Sequence, residues 1–273
     1  MLSSASRDSV VSVFDGFRID LDDHNDRRER LIKSSRDITN LSKKAIFLLH
    51  RIMTDDAPSG EQDDRSRNAR AAARGREKLK EIQKLFAVVG EEVAGDRFWR
   101  YQRNVSPGLQ EYIEALSFTH YLETGKLISY NEVQQTLCSE SGVSYFPLPL
   151  EDYLLGLSDL TGELMRYAIS AISQRGGRIK ASNVCTFVRN CKADFEVYTP
   201  HIRDLRKKQN VTAQSLEKIE DAAYTIAVRS SEYDIPLDML DDFVARTVAM
   251  ESGGGGKKRP RDGDHDRDAD DEY

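Results

Sequence analysis

The sequence predicts an all-α protein, a bundle of about seven helices, on the strength of three observations. Apolar residues recur at helical spacing over long segments. Alternating strand-type runs joined by hairpin turns are nearly absent. Only seven prolines interrupt 273 residues, of which 32% are charged and 39% hydrophobic, a composition that agrees with a charge-rich helical protein. No apolar run approaches the roughly 20 residues that cross a bilayer, so we expect no membrane partner.

Seven helical segments follow from the apolar spacing and from the residues that interrupt it. Pro58-Ser59-Gly60 predicts a loop, Pro149 opens a helix, and Pro200 breaks or kinks one. Ser129 and Glu132 have the spacing of a capping box, which predicts a short helix after them. The predicted segments are 10–54 (one helix or two nearly continuous ones), 68–93, 97–123 (with a bend allowed near Pro107), 130–137, 150–174, 179–233 and 236–250.

The C-terminal residues differ in composition from the rest and divide the chain into two parts. We expect a helical domain over residues 1–252 and a disordered tail over 253–273, which begins with four glycines and continues with charged residues. KKRPR in the tail resembles a nuclear localisation signal, although a solvated charge run explains it equally well. Three cysteines without CxxC spacing favour a reducing compartment, and the N-terminus lacks a secretory pattern. We expect the protein in the cytoplasm and the nucleus.

The segment GLQEYIEALSF, residues 108–118, places two acids in a predicted core helix. Glu111 and Glu114 stand on neighbouring turns of one face, among apolar residues. A second pair, Asp159 and Glu163, lies one turn apart on the largely apolar segment DYLLGLSDLTGELMRYAIS. Buried carboxylates need a partner or a bound cation. If the two helices face each other, the four acids form an all-oxygen site of the kind that suits Mg²⁺ or Mn²⁺.

Two other interpretations of these acids remain open. ExxE and DxxxE spacings are common on solvated helix faces, where Arg166 would pair with Glu163 at i,i+3. A carboxylate-bridged di-iron bundle is the other alternative, but it requires a Glu-x-x-His motif on each of two helices. Ser117 and Arg166 occupy the positions where those histidines would stand, which disfavours a di-iron site.

Several long motifs, in the expected order, resemble the translin family and, within it, the translin-associated factor X (Trax) branch. Three of them are GLQEYIEALSF, LISYNEV and DYLLGLSDLTGELMR. In addition, RRERLIKSSRDITNLSKKAIFLLHRI resembles the family's N-terminal helix, and AYTIAVRSSEYDIPLDML resembles its C-terminal region. The similarity spans about residues 14–250, so it covers most of the chain.

The resemblance implies assembly with translin into a closed hetero-octameric shell. It further implies a Mg²⁺-dependent endoribonuclease that cleaves single-stranded RNA, including passenger-strand fragments of small interfering RNA and precursor-tRNA fragments. The Trax subunit of such a complex is catalytic. Its acids correspond to Glu111, Glu114 and Asp159, with Glu163 as the fourth. We hypothesise that Glu114 and Asp159 bind the ion directly, while Glu111 and Glu163 bind it or orient the attacking water.

RNA must also be held, and the segment DRFWRYQRN offers a basic stripe. Arg97, Arg100 and Arg103 recur every three residues among aromatic side chains, a pattern that suits phosphate contacts. The net charge of −6 argues against broad coating of nucleic acid but leaves a local basic surface open. Surface ion pairing explains the arginines equally well. His50 either lines the cavity or is a satisfied core residue, the commoner role for a lone histidine on an apolar face.

Two functional hypotheses from different classes follow. The first is the catalytic subunit of a translin-containing endoribonuclease. The second is a non-catalytic helical scaffold or RNA-binding partner subunit of translin, in which the acids stabilise an interface or bind RNA indirectly. A clustered carboxylate site gains thermal stability from Mg²⁺ or Mn²⁺, whereas exposed acids on a scaffold do not.

Overall fold

Long α-helices make up the described part of this protein in a computed structural model. The structure describes residues 4–54, 61–172 and 177–232. These ranges hold seven helices: α1 (Ser4–Thr54), α2 (Glu61–Glu92), α3 (Arg97–Thr124), α4 (Tyr130–Thr136), α5 (Leu150–Ile172), α6 (Gly177–Tyr198) and α7 (Leu205–Glu232). Within them there is no strand, only an isolated bridge between Cys138 and Ser144. The all-α prediction is therefore confirmed.

The predicted helix boundaries differ from the structure in three places. The first helix, predicted from residue 10, begins at Ser4. The helix predicted from about residue 68 begins at Glu61, because its polar first turns are compatible with a helix but carry no apolar period. The segment predicted as one interrupted helix over 179–233 forms two, since Pro200 lacks an amide donor and a turn occupies residues 199–204. The capping box of Ser129 and Glu132 opens α4 as predicted. The loop at 58–60, the helix over 236–250 and the tail over 253–273 lie outside the described residues.

The helices form two groups of three that meet mainly where α3 packs against α5. α1, α2 and α3 pack on one another, and so do α5, α6 and α7. α3 of the first group packs against α5 of the second, and we call this contact the α3–α5 seam. One apolar core continues through it, with Phe118 and Leu160 both buried. None of the described helices has the length and apolarity needed to cross a membrane.

Two glycines allow the helices around the seam to approach closely. A Cβ atom at Gly156 of α5 would lie 2.7 Å from Ile113 Cβ and 2.9 Å from the Gln110 carbonyl oxygen of α3. A Cβ atom at Gly108 of α3 would lie 2.8 Å from the Ser35 carbonyl oxygen of α1. Real Cβ atoms do not approach other atoms this closely, so α3 can lie against both neighbours only because these positions are glycine.

A buried acid sets the register of the seam. The Asp152 carboxylate of α5 accepts hydrogen bonds from Ser106 Oγ (2.9 Å) and Gln110 Nε2 (2.8 Å) of α3. Asp152 is 3% exposed, and losing either donor would leave a buried carboxylate less well satisfied, which is costly. Glu111 directly follows Gln110, and Asp159 lies two turns after Asp152. The same hydrogen bonds therefore help to determine which acids face each other.

Substitution of Gly156 by alanine tests this close approach. We expect Gly156→Ala to lower the free energy of unfolding by about 2 kcal/mol, because the added methyl group forces α3 and α5 apart. Gly162→Ala, in the same helix, is the control, since a Cβ atom there meets nothing within 4 Å. This control should be neutral or stabilising by up to about 1 kcal/mol. Urea denaturation measures both, and equal effects would contradict the role given to Gly156.

Candidate active site

Three helices line an open pocket beside the seam. The pocket has a volume of about 890 Å³ and is lined from α1, α3 and α5. Glu111 and Glu114 face it from α3, Glu163 from α5, and His50 from α1. Asp159 does not line the pocket, but it is close enough to Glu114 for its charge to act on that carboxyl. The structure thus brings the four predicted acids together.

Among the four acids, Glu114 is the one whose negative charge is least neutralised by surrounding residues. Its side chain is partly buried, and within the described ranges no hydrogen-bond donor or ion-pair partner contacts its carboxylate. Burial raises the pKa of Glu114 to about 9, and the negative charges of the other three acids contribute to the shift. Without a bound cation this carboxyl is therefore protonated at neutral pH. A nearby cation would favour its ionised form.

Glu163 has both carboxylate oxygens engaged. Its Oε2 lies 2.6 Å from His50 Nε2, and Arg166 Nη1 donates to its Oε1 at 2.7 Å. The Glu163 side chain is 8% exposed, whereas Arg166 is 64% exposed, so only the carboxylate side of the arginine contact is shielded from water. The predicted Arg166–Glu163 pair is thus present, between a buried carboxylate and a solvated arginine at the pocket wall.

His50 combines the two roles that were considered for it. Its ring packs on Phe118, with 4.8 Å between ring centroids, and it also contacts Glu163 at the pocket wall. Sequence reasoning left its role open because the partner lies 113 residues away. The phenylalanine and the carboxylate together hold the imidazole in one orientation.

Glu111 and Asp159 each contact a lysine from another helix. Lys43 Nζ of α1 lies 3.2 Å from Glu111 Oε1, and Lys208 Nζ of α7 contacts Asp159 Oδ2. Burial raises the pKa of Asp159 in spite of the opposing charge of Lys208. Sequence reasoning did not single out Lys208. The available signal was its place four residues before Thr212, on the core-facing side of the α7 period.

The four acids supply the oxygen ligands that a hard divalent cation prefers, but they do not form a complete coordination sphere. Among the described residues, no group of three His, Cys, Asp or Glu side chains is arranged to hold a metal ion. Four carboxylates converge all the same, and such oxygens are the ligands that Mg²⁺ prefers. An ion that bound here would have to compete with the lysine contacts of Glu111 and Asp159.

The predicted arginine stripe lies on the surface of α3, outside the pocket lining. Arg97, Arg100 and Arg103 are all exposed, and none of them forms an ion pair within the described part of the chain. Helical geometry places Arg100 within about 20° of the direction of Glu111 and about 16 Å before it along the axis. Ion pairing with described residues therefore does not account for these arginines.

The raised pKa of Glu114 predicts a pH-dependent stability of the metal-free protein. Because the folded pKa lies above the unfolded one, the stabilising contribution is complete below the unfolded pKa and is lost progressively as the pH rises to about 9. Glu114→Gln cannot ionise, so its Tm in EDTA should fall by several degrees less between pH 6 and pH 9. Glu91→Gln, at an exposed position of α2, is the control. Identical pH profiles for wild type and Glu114→Gln would contradict the prediction.

Known proteins resemble this chain both in sequence and in fold. The chain is 35% identical to "Translin-associated protein X" of Rattus norvegicus, over 90% of this chain and 88% of that protein. Two solved structures, of AfC3PO (TM-score 0.57, 20% identity) and of an AfC3PO–duplex RNA complex (TM-score 0.55, 19% identity), share the fold. Each similarity covers 79% of this chain and 97% of the other.

A family model, described as the Translin family, matches residues 26–230. This match includes the helices α2 to α6 entirely, and with them Glu111, Glu114, Asp159 and Glu163. Together with the identity to the rat protein, it establishes that the chain belongs to the translin family.

Proposed function

We propose that this chain is the catalytic subunit of a Mg²⁺-dependent endoribonuclease that it forms with translin. The observation that carries the proposal is the convergence of four carboxylates, of which Glu114 has no compensating partner among the described residues. Acids are rarely collected in this way unless a cation joins them. Support for an RNA substrate comes from the similar fold of AfC3PO, which has been solved with duplex RNA.

Glu114 and Asp159 are the residues that would hold the ion, with Mn²⁺ as an alternative to Mg²⁺. A bound ion of this kind lowers the pKa of a coordinated water molecule and stabilises the charge of a phosphoryl transition state. Glu111 is the third candidate ligand, and its carboxylate contacts the exposed Lys43. Its ion pair is half exposed and weak, so exchange of this lysine for a metal ion costs little.

Glu163 is better suited to orienting than to direct coordination. His50 engages one of its carboxylate oxygens and Arg166 the other, which leaves few lone pairs for a metal. In this arrangement Glu163 Oε2 and His50 Nε2 share a hydrogen bond at the edge of the pocket. The pair can orient a water molecule toward a scissile phosphate.

The partner, substrates and location follow from the family relationship. The rat relative is named for its association with translin, and we propose the same partner here, in a hetero-octameric shell. The proposed substrates are single-stranded RNAs, namely passenger-strand fragments of small interfering RNA and precursor-tRNA fragments. The proposed locations are the cytoplasm and the nucleus. Arg97, Arg100 and Arg103 would bind RNA phosphates before the strand enters the pocket.

A non-catalytic scaffold or RNA-binding partner subunit of translin is the second candidate function. It is favoured by the cationic partners of three of the four acids, because paired acids can stabilise a helical bundle without any metal. Under this proposal the acids have no part in RNA cleavage.

Replacement of both α3 acids separates the two candidate functions. In the complex co-expressed with translin, Glu111→Ala plus Glu114→Ala should lower the Mg²⁺-dependent rate of RNA cleavage about a hundredfold or more, because two oxygen ligands are lost. Glu77→Ala plus Glu81→Ala, two exposed glutamates of α2, is the control and should leave the rate unchanged. Full activity in a correctly assembled Glu111/Glu114 variant would rule out catalysis by these acids and favour the scaffold.

The arginine stripe predicts a specific change in RNA binding. Replacing Arg97, Arg100 and Arg103 by glutamine should weaken binding of single-stranded RNA in EDTA. The slope of log K against log salt should become shallower by about 2, since three phosphate contacts are lost. A control triple variant of Arg65, Lys80 and Lys84, exposed residues of α2, should bind like wild type. An unchanged salt slope in the Arg97/Arg100/Arg103 variant would mean that these arginines do not contact phosphates.

A further inference from the structure

Lys208 stands in the first turn of α7, a helix that does not line the pocket, and contacts the acidic cluster from there. Its ammonium group contacts the Asp159 carboxylate of α5. Both side chains are partly shielded, with 23% and 35% of their surfaces exposed. The preceding residue, Lys207, is 86% exposed and lies near Asp204, the residue just before α7. Two adjacent lysines therefore occupy very different environments.

The fold holds Lys208 against Asp159 through contacts of two residues that follow it on α7. One turn further along α7, the Thr212 hydroxyl lies 3.0 Å from the Thr161 hydroxyl of α5, and both residues are buried. Gln209, the residue after Lys208, donates from Nε2 to the Lys192 carbonyl oxygen of α6 at 2.8 Å. These bonds fix the register of α7, so the lysine position does not depend on a flexible surface contact.

The position of Lys208 matters because it faces the acid that the proposed function assigns to the metal. The positive charge of this lysine favours the ionised forms of both Asp159 and Glu114. In the metal-free protein, Lys208 therefore neutralises part of the negative charge that a bound cation would neutralise. An ammonium group and a divalent ion at the same carboxylate repel each other, so the two compete for Asp159.

We propose that Lys208 is an internal counter-cation for Asp159, which a divalent ion must displace, and that it thereby sets how tightly the site binds metal. The inference rests on the proposed metal-dependent function. Lys208 is a positioning residue in this account: it keeps the carboxylates together while the site holds no metal, and it makes metal binding weaker than the four acids alone would give.

Binding of Mn²⁺ to the full-length chain tests the inference. Free Mn²⁺ measured by electron paramagnetic resonance gives the affinity, and thermal unfolding in EDTA gives the stability without metal. We expect Lys208→Met to bind Mn²⁺ about tenfold more tightly, because the competing charge is gone. Its Tm in EDTA should be lower than that of wild type, and Mn²⁺ should raise it by more. Lys208→Arg, which keeps the charge, and Lys207→Met, at the exposed neighbour, should both resemble wild type.

The outcomes separate this inference from the function on which it rests. Wild-type binding of Mn²⁺ with an unchanged affinity in Lys208→Met would overturn the role of Lys208 and leave the metal-dependent function standing, even if the variant were less stable. Binding by neither protein would overturn both. Binding by Lys208→Met alone would support the displacement of this lysine as the step that limits metal binding.

Discussion

The close contact between α3 and α5 is the constraint on which the acidic cluster depends. Gly156 has no side chain, so the backbone of α5 can lie against Ile113 of α3. The buried Asp152 then pairs with Gln110, one residue before Glu111. A different crossing distance or register would carry the two pairs of acids to separate surfaces. The packing that stabilises the bundle is therefore also the packing that forms the pocket.

Collecting four carboxylates in one place has an electrostatic cost, and the fold offsets it incompletely. Cations from three helices contact the cluster: Lys43 from α1, Arg166 from α5 and Lys208 from α7. Glu114 lacks such a partner among the described residues, and burial together with the neighbouring negative charges raises its pKa. A cluster that remains one cation short is a chemically reasonable place for a divalent ion, whose charge would satisfy Glu114 and reduce the repulsion among its neighbours.

Sequence reasoning succeeded where a short-range rule decides the outcome. Residues three or four positions apart share a helix face, so the pairing of Glu111 with Glu114 and of Glu163 with Arg166 could be predicted. The capping box at Ser129 depends on a similarly local pattern. The same reasoning did not resolve the region around Pro200, because a kinked helix and two helices joined by a turn have nearly the same apolar period.

Local patterns were enough to establish that the chain is helical, where most of its helices lie, and which acids share a face. They were enough because helix formation and same-face pairing involve residues close together in the chain. That the two pairs of acids meet was settled by packing. Packing also brings His50 to an acid 113 residues away and Lys208 to an acid 49 residues away. Contacts between such distant segments depend on how helices cross, and the spacing of residues along one helix does not determine the crossing.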